Sequence, residues 1–285
     1  MNKTHYIILL SLIPMFGMAQ KEESVNSLEK RKSIYFSTSM GFSSSTFRDF
    51  ATSPLFYKGI ARYASIGRIR NDSMRESRLG GSYSTGNYKA TVGDHSASSQ
   101  VKTLALYYAQ MYHLSKLSND KWNTKVGGLV NVTGNLRING SLGNNSAGLE
   151  LNGTLFASIK TERDVSRVKT KNKKFLFFIK YKLKPRKRKL SYRLNLGLMN
   201  NNYRNPYVYI GQSSVLNDDK TFDAYEFKTF SGFRMSSSLD YTIALNNRNL
   251  IQFSYLWDAY RTGGDLDKFE MAQHVFKLSL LFNTK

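Results

Sequence analysis

The chain of 285 residues contains no cysteine. This absence excludes disulfide bonds, thiolate metal sites, a cysteine nucleophile and lipid attachment through an amino-terminal cysteine. Acidic residues are also scarce, 20 against 42 lysines and arginines, so the formal net charge is +22. In a soluble protein such an excess would indicate nucleic acid or another anionic surface as the partner.

Long apolar runs are missing except at the amino end. The run at residues 6–18 follows Lys3, and the small residues Gly17 and Ala19 stand three and one positions before a cleavage point at Gln20. This pattern predicts a secretory signal peptide at residues 1–19 and a polar linker at residues 20–32. The run is too short for a spanning helix, which needs about 20 residues. We therefore expect export, which makes nucleic acid a poor partner, and no nucleic-acid binding is predicted.

Most of the remaining chain alternates between bulky apolar and polar residues. A period of two residues is that of a β-strand, and several segments reach roughly ten residues, the length a tilted strand needs to cross a bilayer. Because the backbone in a membrane has to satisfy its own hydrogen bonds, such strands must close into a barrel. Clear alternation occurs at residues 34–42, 59–70, 122–133, 148–160, 232–245, 250–260 and 273–282.

These segments predict an all-β fold for residues 33–285, a transmembrane antiparallel up-and-down β-barrel of about twelve strands. Both chain ends are expected on the periplasmic side. A soluble β-sandwich with a basic exterior is the alternative, since its strands alternate too. The strand lengths and the 18 tyrosines and 18 phenylalanines favour the membrane barrel.

The stretch KFLFFIKYKLKPRKRKLSYRLNLGL at residues 174–198 combines both features of the pattern. On both sides of PRKRK, apolar residues occupy every second position, and cations occupy much of the intervening set of positions. We predict two neighbouring barrel strands whose apolar residues face lipid. Lys180, Lys182 and Arg193 are then expected to face the lumen, because a lysine in contact with lipid near the midplane costs about 2–4 kcal/mol.

The signal ending in Met-Ala-Gln, the tandem alternating strands and the final strand FKLSLLF resemble those of outer-membrane β-barrel proteins from Bacteroidota. The resemblance covers nearly the whole mature chain and rests on pattern rather than on a diagnostic motif. It implies a Gram-negative cell outer membrane as the location, with contact to outer-membrane lipid. In this chain three residues follow Phe282, whereas barrels of this kind typically end on the aromatic residue itself.

The predicted inward parity is strongly cationic. Only Glu150, Asp240 and Asp258 oppose the cations on it, although those near strand ends can also reach bulk water or lipid phosphate. An unpaired buried cation is costly, so the excess predicts a hydrated lumen or an anionic occupant. The cations assigned to the lumen are Arg62, Arg68, Lys125, Lys160, Lys180, Lys182, Arg193, Arg234 and Lys277.

The first functional interpretation is a passive channel for small anionic solutes, because a cationic pore concentrates anions. The second is a non-catalytic barrel subunit of an export or surface-assembly complex, with other envelope proteins as partners. A barrel hydrolase is third. Its best candidate is Asp94-His95-Ser96, whose adjacent residues in a serine-rich loop are poorly placed for a catalytic relay. We predict no enzyme activity, no cofactor and no metal site, since the four histidines lack ligand spacing.

Overall fold

A computed structural model describes residues 33–140, 142, 147–175, 179–205, 225–264 and 267–284. The predicted signal peptide and linker lie outside the described residues. No α-helix among the described residues combines the length and apolarity of a membrane-spanning helix.

Thirteen strands make up most of the described chain. The six before the long basic segment are β1 Ser33–Asp49, β2 Ser53–Asn71, β3 Arg75–Val92, β4 His95–His113, β5 Trp122–Ile138 and β6 Ala147–Asp164. The other seven are β7 Lys171–Phe175, β8 Ile179–Leu183, β9 Arg188–Arg204, β10 Glu226–Lys228, β11 Phe233–Ala244, β12 Leu250–Thr262 and β13 Phe269–Asn283.

Ten of these strands form a closed antiparallel barrel. Their order around the wall is β9-β11-β12-β13-β1-β2-β3-β4-β5-β6, and β6 pairs back onto β9 to close the ring. β10 pairs with the end of β9 beyond β11, and β7 and β8 form a separate two-stranded sheet. The predicted all-β barrel is confirmed. Its wall has ten strands rather than about twelve, because β7 and β8 pair with each other and not with the wall.

Both ends of the described chain lie at the same end of the barrel, where Ser33 pairs with Asn71 and Asn283 pairs with Tyr35. We call this the terminal end, and the other the distal end. The turns at residues 72–74 and 245–249 and the segment at 165–187 lie at the terminal end. The distal end carries tight turns at 50–52 and 93–94. Gly93 has φ of +56°, a backbone conformation that favours glycine.

The outer wall carries a belt of exposed apolar side chains, which is the surface of a membrane-spanning barrel. A water-soluble sandwich would bury one face of each strand in a core instead. Most predicted parities are correct, because the bulkiest residues of each strand face outward. Members of the belt include Phe36, Met40, Phe42, Ile66, Leu79, Leu104, Leu106, Val130, Val132, Leu155, Leu196, Leu239, Phe253, Phe276 and Leu278.

The predicted parity of β2 is wrong. Ala61, Ser65 and Ile69 are buried inside, whereas Arg62 and Arg68 are exposed on the outer wall. The physical reason is crowding in the interior, where small residues fit beside Tyr57 and Tyr88 and leave no room for two further guanidinium groups. A long arginine side chain can reach the membrane surface from an outward position, so this arrangement is tolerated.

The outer belt gives a direct test of the membrane assignment. Leu106→Lys should destabilise the barrel in lipid vesicles by about 2–4 kcal/mol, because it places a charge against hydrocarbon. Urea unfolding of vesicle-embedded protein measures the change. Leu117→Lys is the matched control, since Leu117 is comparably exposed but lies in the connection between β4 and β5. Equal costs for both substitutions would contradict a lipid-facing belt.

The ion-paired interior of the barrel

The inward faces of the ten wall strands are polar and charged. Eight cations meet six carboxylates there, so the interior is nearly balanced rather than strongly basic. The cations are Arg78, Lys125, Arg137, Lys160, Arg193, Arg204, Arg234 and Lys277. The carboxylates are Asp49, Glu76, Glu150, Glu162, Asp240 and Asp258.

A buried carboxylate organises the terminal half of the interior. Glu76, only 1 % exposed, accepts a 2.6 Å bond from Arg78 Nε and a 2.5 Å bond from Arg193 Nη2 on one oxygen. Its other oxygen lies 2.5 Å from Lys160 Nζ, which also contacts Glu162. β3 and β9 are four places apart in a ring of ten. The Glu76–Arg193 bond therefore crosses the lumen.

A second carboxylate organises the distal half. Asp49 pairs with Arg137 from β5 and, at 2.6 Å, with Arg204 Nη2 from β9. Both partners are four places from β1 around the ring, on opposite sides of it. Arg137 also contacts Glu150 at 2.9 Å, and Arg204 donates to the backbone carbonyl of Asp267 at 2.7 Å.

Arg234 is the centre of a third group of contacts. Arg234 on β11 forms a bidentate pair with Asp258 at 3.1 and 2.7 Å, and it donates to Thr133 on β5 at 3.0 Å. Its guanidinium lies over the Tyr260 ring at 4.8 Å. The Tyr260 hydroxyl accepts a 2.6 Å bond from Asn135, again across the lumen.

The distal opening carries one further ion pair, outside the spanning strands. Lys228 on β10 lies 3.0 Å from Asp267, which also accepts a 2.6 Å bond from the Gly264 N–H. Burial alone would raise the pKa of Asp267, but these hydrogen bonds outweigh it and lower the pKa. The loop 263–268 is thus tied to the strand that extends beyond the wall.

These contacts fill much of the interior. An open lumen would leave inward side chains exposed to water, yet Lys160 is 2 % and Arg204 2 % exposed. Met111 and Val275, at other levels of the wall, are fully buried. Salt bridges and hydrogen bonds that join strands four places apart cross the lumen at both clusters. At these levels the described barrel therefore has a packed polar core.

The predicted lumen residues separate into three groups. Lys125, Lys160, Arg193, Arg234 and Lys277 lie inside, although their role in passing anions stays a prediction. Each interior cation has a partner: Lys125 Nζ donates to Asn71 Oδ1 at 2.6 Å and to a backbone carbonyl at 2.5 Å, and Lys277 Nζ lies 5.8 Å above the Tyr63 ring.

The other four assignments are wrong. Arg62 and Arg68 face outward, as described above. Lys180 and Lys182 lie on β8, in the separate hairpin rather than in the barrel wall. PRKRK is not a tight turn between two wall strands. Arg186 pairs with Arg167 at the base of the separate hairpin, and Arg188 and Lys189 already begin β9.

Six inward charges were missed by the sequence analysis: Asp49, Glu76, Arg78, Arg137, Glu162 and Arg204. β3 lacks a clear apolar parity, since its positions are mainly Gly, Ser, Thr and Tyr. Arg137 and Arg204 lie at the distal ends of their strands, where the alternation stops. A usable signal was the pair Glu76 and Arg78, two residues apart and therefore on one face of a strand.

No hydrolase geometry is formed by the candidates that the structure describes. Asp94, His95 and Ser96 are exposed at the tight turn between β3 and β4. His113 contacts Asn123 Oδ1 at 2.8 Å and Ser118 Oγ at 3.4 Å, but both contacts are to Nδ1. A serine nucleophile and an orienting amide need opposite ring nitrogens. The described residues likewise contain no group of three potential metal ligands.

An apolar groove of about 480 Å³ lies on the outer wall. Met40, Phe42, Leu239, Phe253 and Leu278 line it, and all five belong to the exposed belt. The groove is therefore part of the lipid-facing surface.

No protein-family model matches the chain, and no curated protein matches it in sequence. Solved outer-membrane barrels are similar to it at low identity. The β domain of the Bordetella autotransporter BrkA has 9 % identity and a TM-score of 0.31, with 88 % of this chain and 99 % of that chain covered. The TodX monoaromatic hydrocarbon channel, as a deltaS2S3 mutant, has 8 % identity and a TM-score of 0.31, with coverages of 89 % and 91 %.

Pseudomonas aeruginosa OccK7 has 7 % identity and a TM-score of 0.21, with coverages of 89 % and 100 %. Channels and an autotransporter domain thus occur among the outer-membrane barrels that this chain is similar to. At these values the likeness is one of general architecture and carries no assignment of substrate.

The interior network predicts a large cost for removing its central carboxylate. Glu76→Gln should destabilise the folded barrel by about 3–5 kcal/mol, because it leaves Lys160 and Arg193 as insufficiently compensated buried cations. Urea unfolding in lipid vesicles measures this change. Glu270→Gln is the control: its pair with Arg48 is about one-quarter exposed, so the expected cost is under about 1 kcal/mol. A small effect of Glu76→Gln would mean that water reaches the cluster.

Proposed function

We propose that this protein is a sealed, non-catalytic outer-membrane barrel that serves as a subunit of an envelope assembly and contacts its partners with its two ends. The observation that carries the proposal is the interior network, in which Glu76, Asp49 and Arg234 connect strands across the lumen. A side chain held in this way cannot also solvate a passing ion. The wall therefore acts as a membrane anchor, and the segments outside the wall bind the partners.

The terminal end offers a suitable partner surface. Residues 165–189 contain twelve lysines and arginines and no acidic residue. The base of this basic hairpin is fixed to the wall, since Val165 N donates to the Arg188 carbonyl and Ala244 N to the Lys187 carbonyl, both at 3.0 Å. β7 and β8 continue the ribbon with five paired positions. A fixed cationic ribbon suits an acidic partner surface.

A passive anion channel is the competing function, and it would require the lumen-crossing contacts to separate. In planar bilayers under a potassium chloride gradient, the purified full chain should give no steady conductance. Cold-gel mobility before and after heating verifies that the inserted protein is folded. A steady, anion-selective conductance from folded protein would overturn the sealed-barrel proposal and restore the channel interpretation.

The absence of cysteine permits a clean test of the hairpin. Thr170 is exposed directly before β7, and Thr170→Cys keeps every charge of the ribbon. A photo-crosslinker attached there should give one discrete adduct in intact cells, because the partner lies against the ribbon. Asn246→Cys, exposed on the tight turn at the same end, is the control and should give none. Identical products at both sites, or none at Thr170→Cys, would contradict a partner at the hairpin.

A further inference from the structure

The outer wall carries four cations on three neighbouring strands near the distal end. Lys58 and Arg62 lie on β2, Lys89 on β3 and Lys102 on β4, all at outward positions. The register places Lys58 directly opposite Lys89. Thr85 on β3 lies opposite Arg62 on one side and opposite Lys102 on the other. With strands about 4.8 Å apart and about 3.4 Å per residue, the four Cα atoms span roughly 10 by 13 Å.

This group, which we call the distal cation patch, has no carboxylate within it. The outward positions between the two cation rows are Ile60, Asn87 and Gln100. Like charges directly opposite each other on paired strands are unfavourable, and Lys58 and Lys89 are such a pair. The arrangement contrasts with Arg48, the next outward cation along the distal rim, which is paired with Glu270 at 2.6 Å.

The level of the patch on the wall indicates what surrounds it. On the terminal side of the patch, the next two outward rows are Ala64, Tyr83 and Leu104, then Ile66, Gly81 and Leu106. These rows belong to the apolar belt. On the distal side, β2 continues with the exposed aromatic Phe56, and β3 and β4 continue with Thr91 and Ser96. The patch thus lies where the hydrocarbon region ends and the headgroup region begins.

We propose that the distal cation patch binds the phosphorylated headgroup of a lipid in the membrane leaflet at the distal end. Two phosphate monoesters carry about −3 to −4 charges in total at neutral pH, which matches four cations. The lipid's acyl chains would lie along Ile66, Tyr83 and Leu104, directly below the headgroup. This binding goes beyond the sealed-barrel function and does not depend on it, since every residue involved is on the outer wall.

A soluble anion is the weaker assignment because the patch is flat and borders an apolar surface. A free phosphate would be bound by surface cations alone. A lipid also gains contact with the belt beneath them. The buried interior cations are not alternatives, since those of the Glu76 and Asp49 clusters already neutralise carboxylates.

The test uses the full chain, folded in detergent and stripped of lipid, and measures retained lipid by native mass spectrometry. The probes are lipid A with two phosphate monoesters, its monophosphorylated counterpart, and phosphatidylcholine. One bisphosphorylated lipid A should be retained, with less of the monophosphorylated form and least phosphatidylcholine. Combined Lys58→Gln, Arg62→Gln, Lys89→Gln and Lys102→Gln should lower retention of lipid A at least about tenfold, because four attractive charges are lost.

The matched control neutralises four exposed lysines at the terminal end: Lys116→Gln, Lys121→Gln, Lys169→Gln and Lys189→Gln. It changes net charge equally and should leave lipid A retention unchanged. Equal retention by the patch variant and the unmodified protein would overturn the proposal, as would equal losses in both variants, which would indicate net charge alone. Complete displacement of lipid A by millimolar inorganic phosphate would also overturn it, in favour of a soluble anion.

Discussion

Charges inside this barrel have to be solvated by one another, and that constraint determines much of the structure. Moving an isolated ion out of water costs several kcal/mol even after relaxation, so each interior cation needs a partner inside the barrel. Glu76 satisfies three cations from β3, β6 and β9. A shift of any of these strands by one residue would turn its charges toward lipid and leave the remaining ones unpaired. The network therefore specifies register as well as filling the lumen.

The same constraint explains why the inner face is less basic in the structure than the sequence predicts. Space inside a ten-stranded ring is limited, and two predicted cations, Arg62 and Arg68, lie outside while two others belong to the separate hairpin. Carboxylates outside the clearly alternating segments, Asp49, Glu76 and Glu162, supply the missing negative charge. The interior contributes an excess of only two positive charges to a net charge of +22. Most of the excess must be carried elsewhere on the chain.

The sequence was sufficient for the fold class because lipid-facing strands need bulky apolar residues at every second position. That requirement is visible in β5, β6, β9, β11, β12 and β13, where the predicted parity agrees with the structure. It is not visible in β2, whose inner face accepts small apolar residues such as Ala61 and whose outer face tolerates arginine. The sequence also could not predict which charges pair when they lie far apart along the chain. Glu76 and Arg193 are 117 positions apart, and only the closure of the ring brings them together.

The distribution of charge also separates anchoring from recognition. A sealed core with balanced charges exerts little electrostatic attraction on solutes, whereas the distal cation patch and the basic hairpin present unbalanced positive charge at opposite ends of the wall. Focused attraction of an anionic partner requires such unbalanced surfaces. Each lies at a boundary of the apolar belt, where a cation keeps access to water and to anionic groups. The belt fixes the barrel in the membrane, and in our proposals the cations at its two margins bind anionic groups on either side of it.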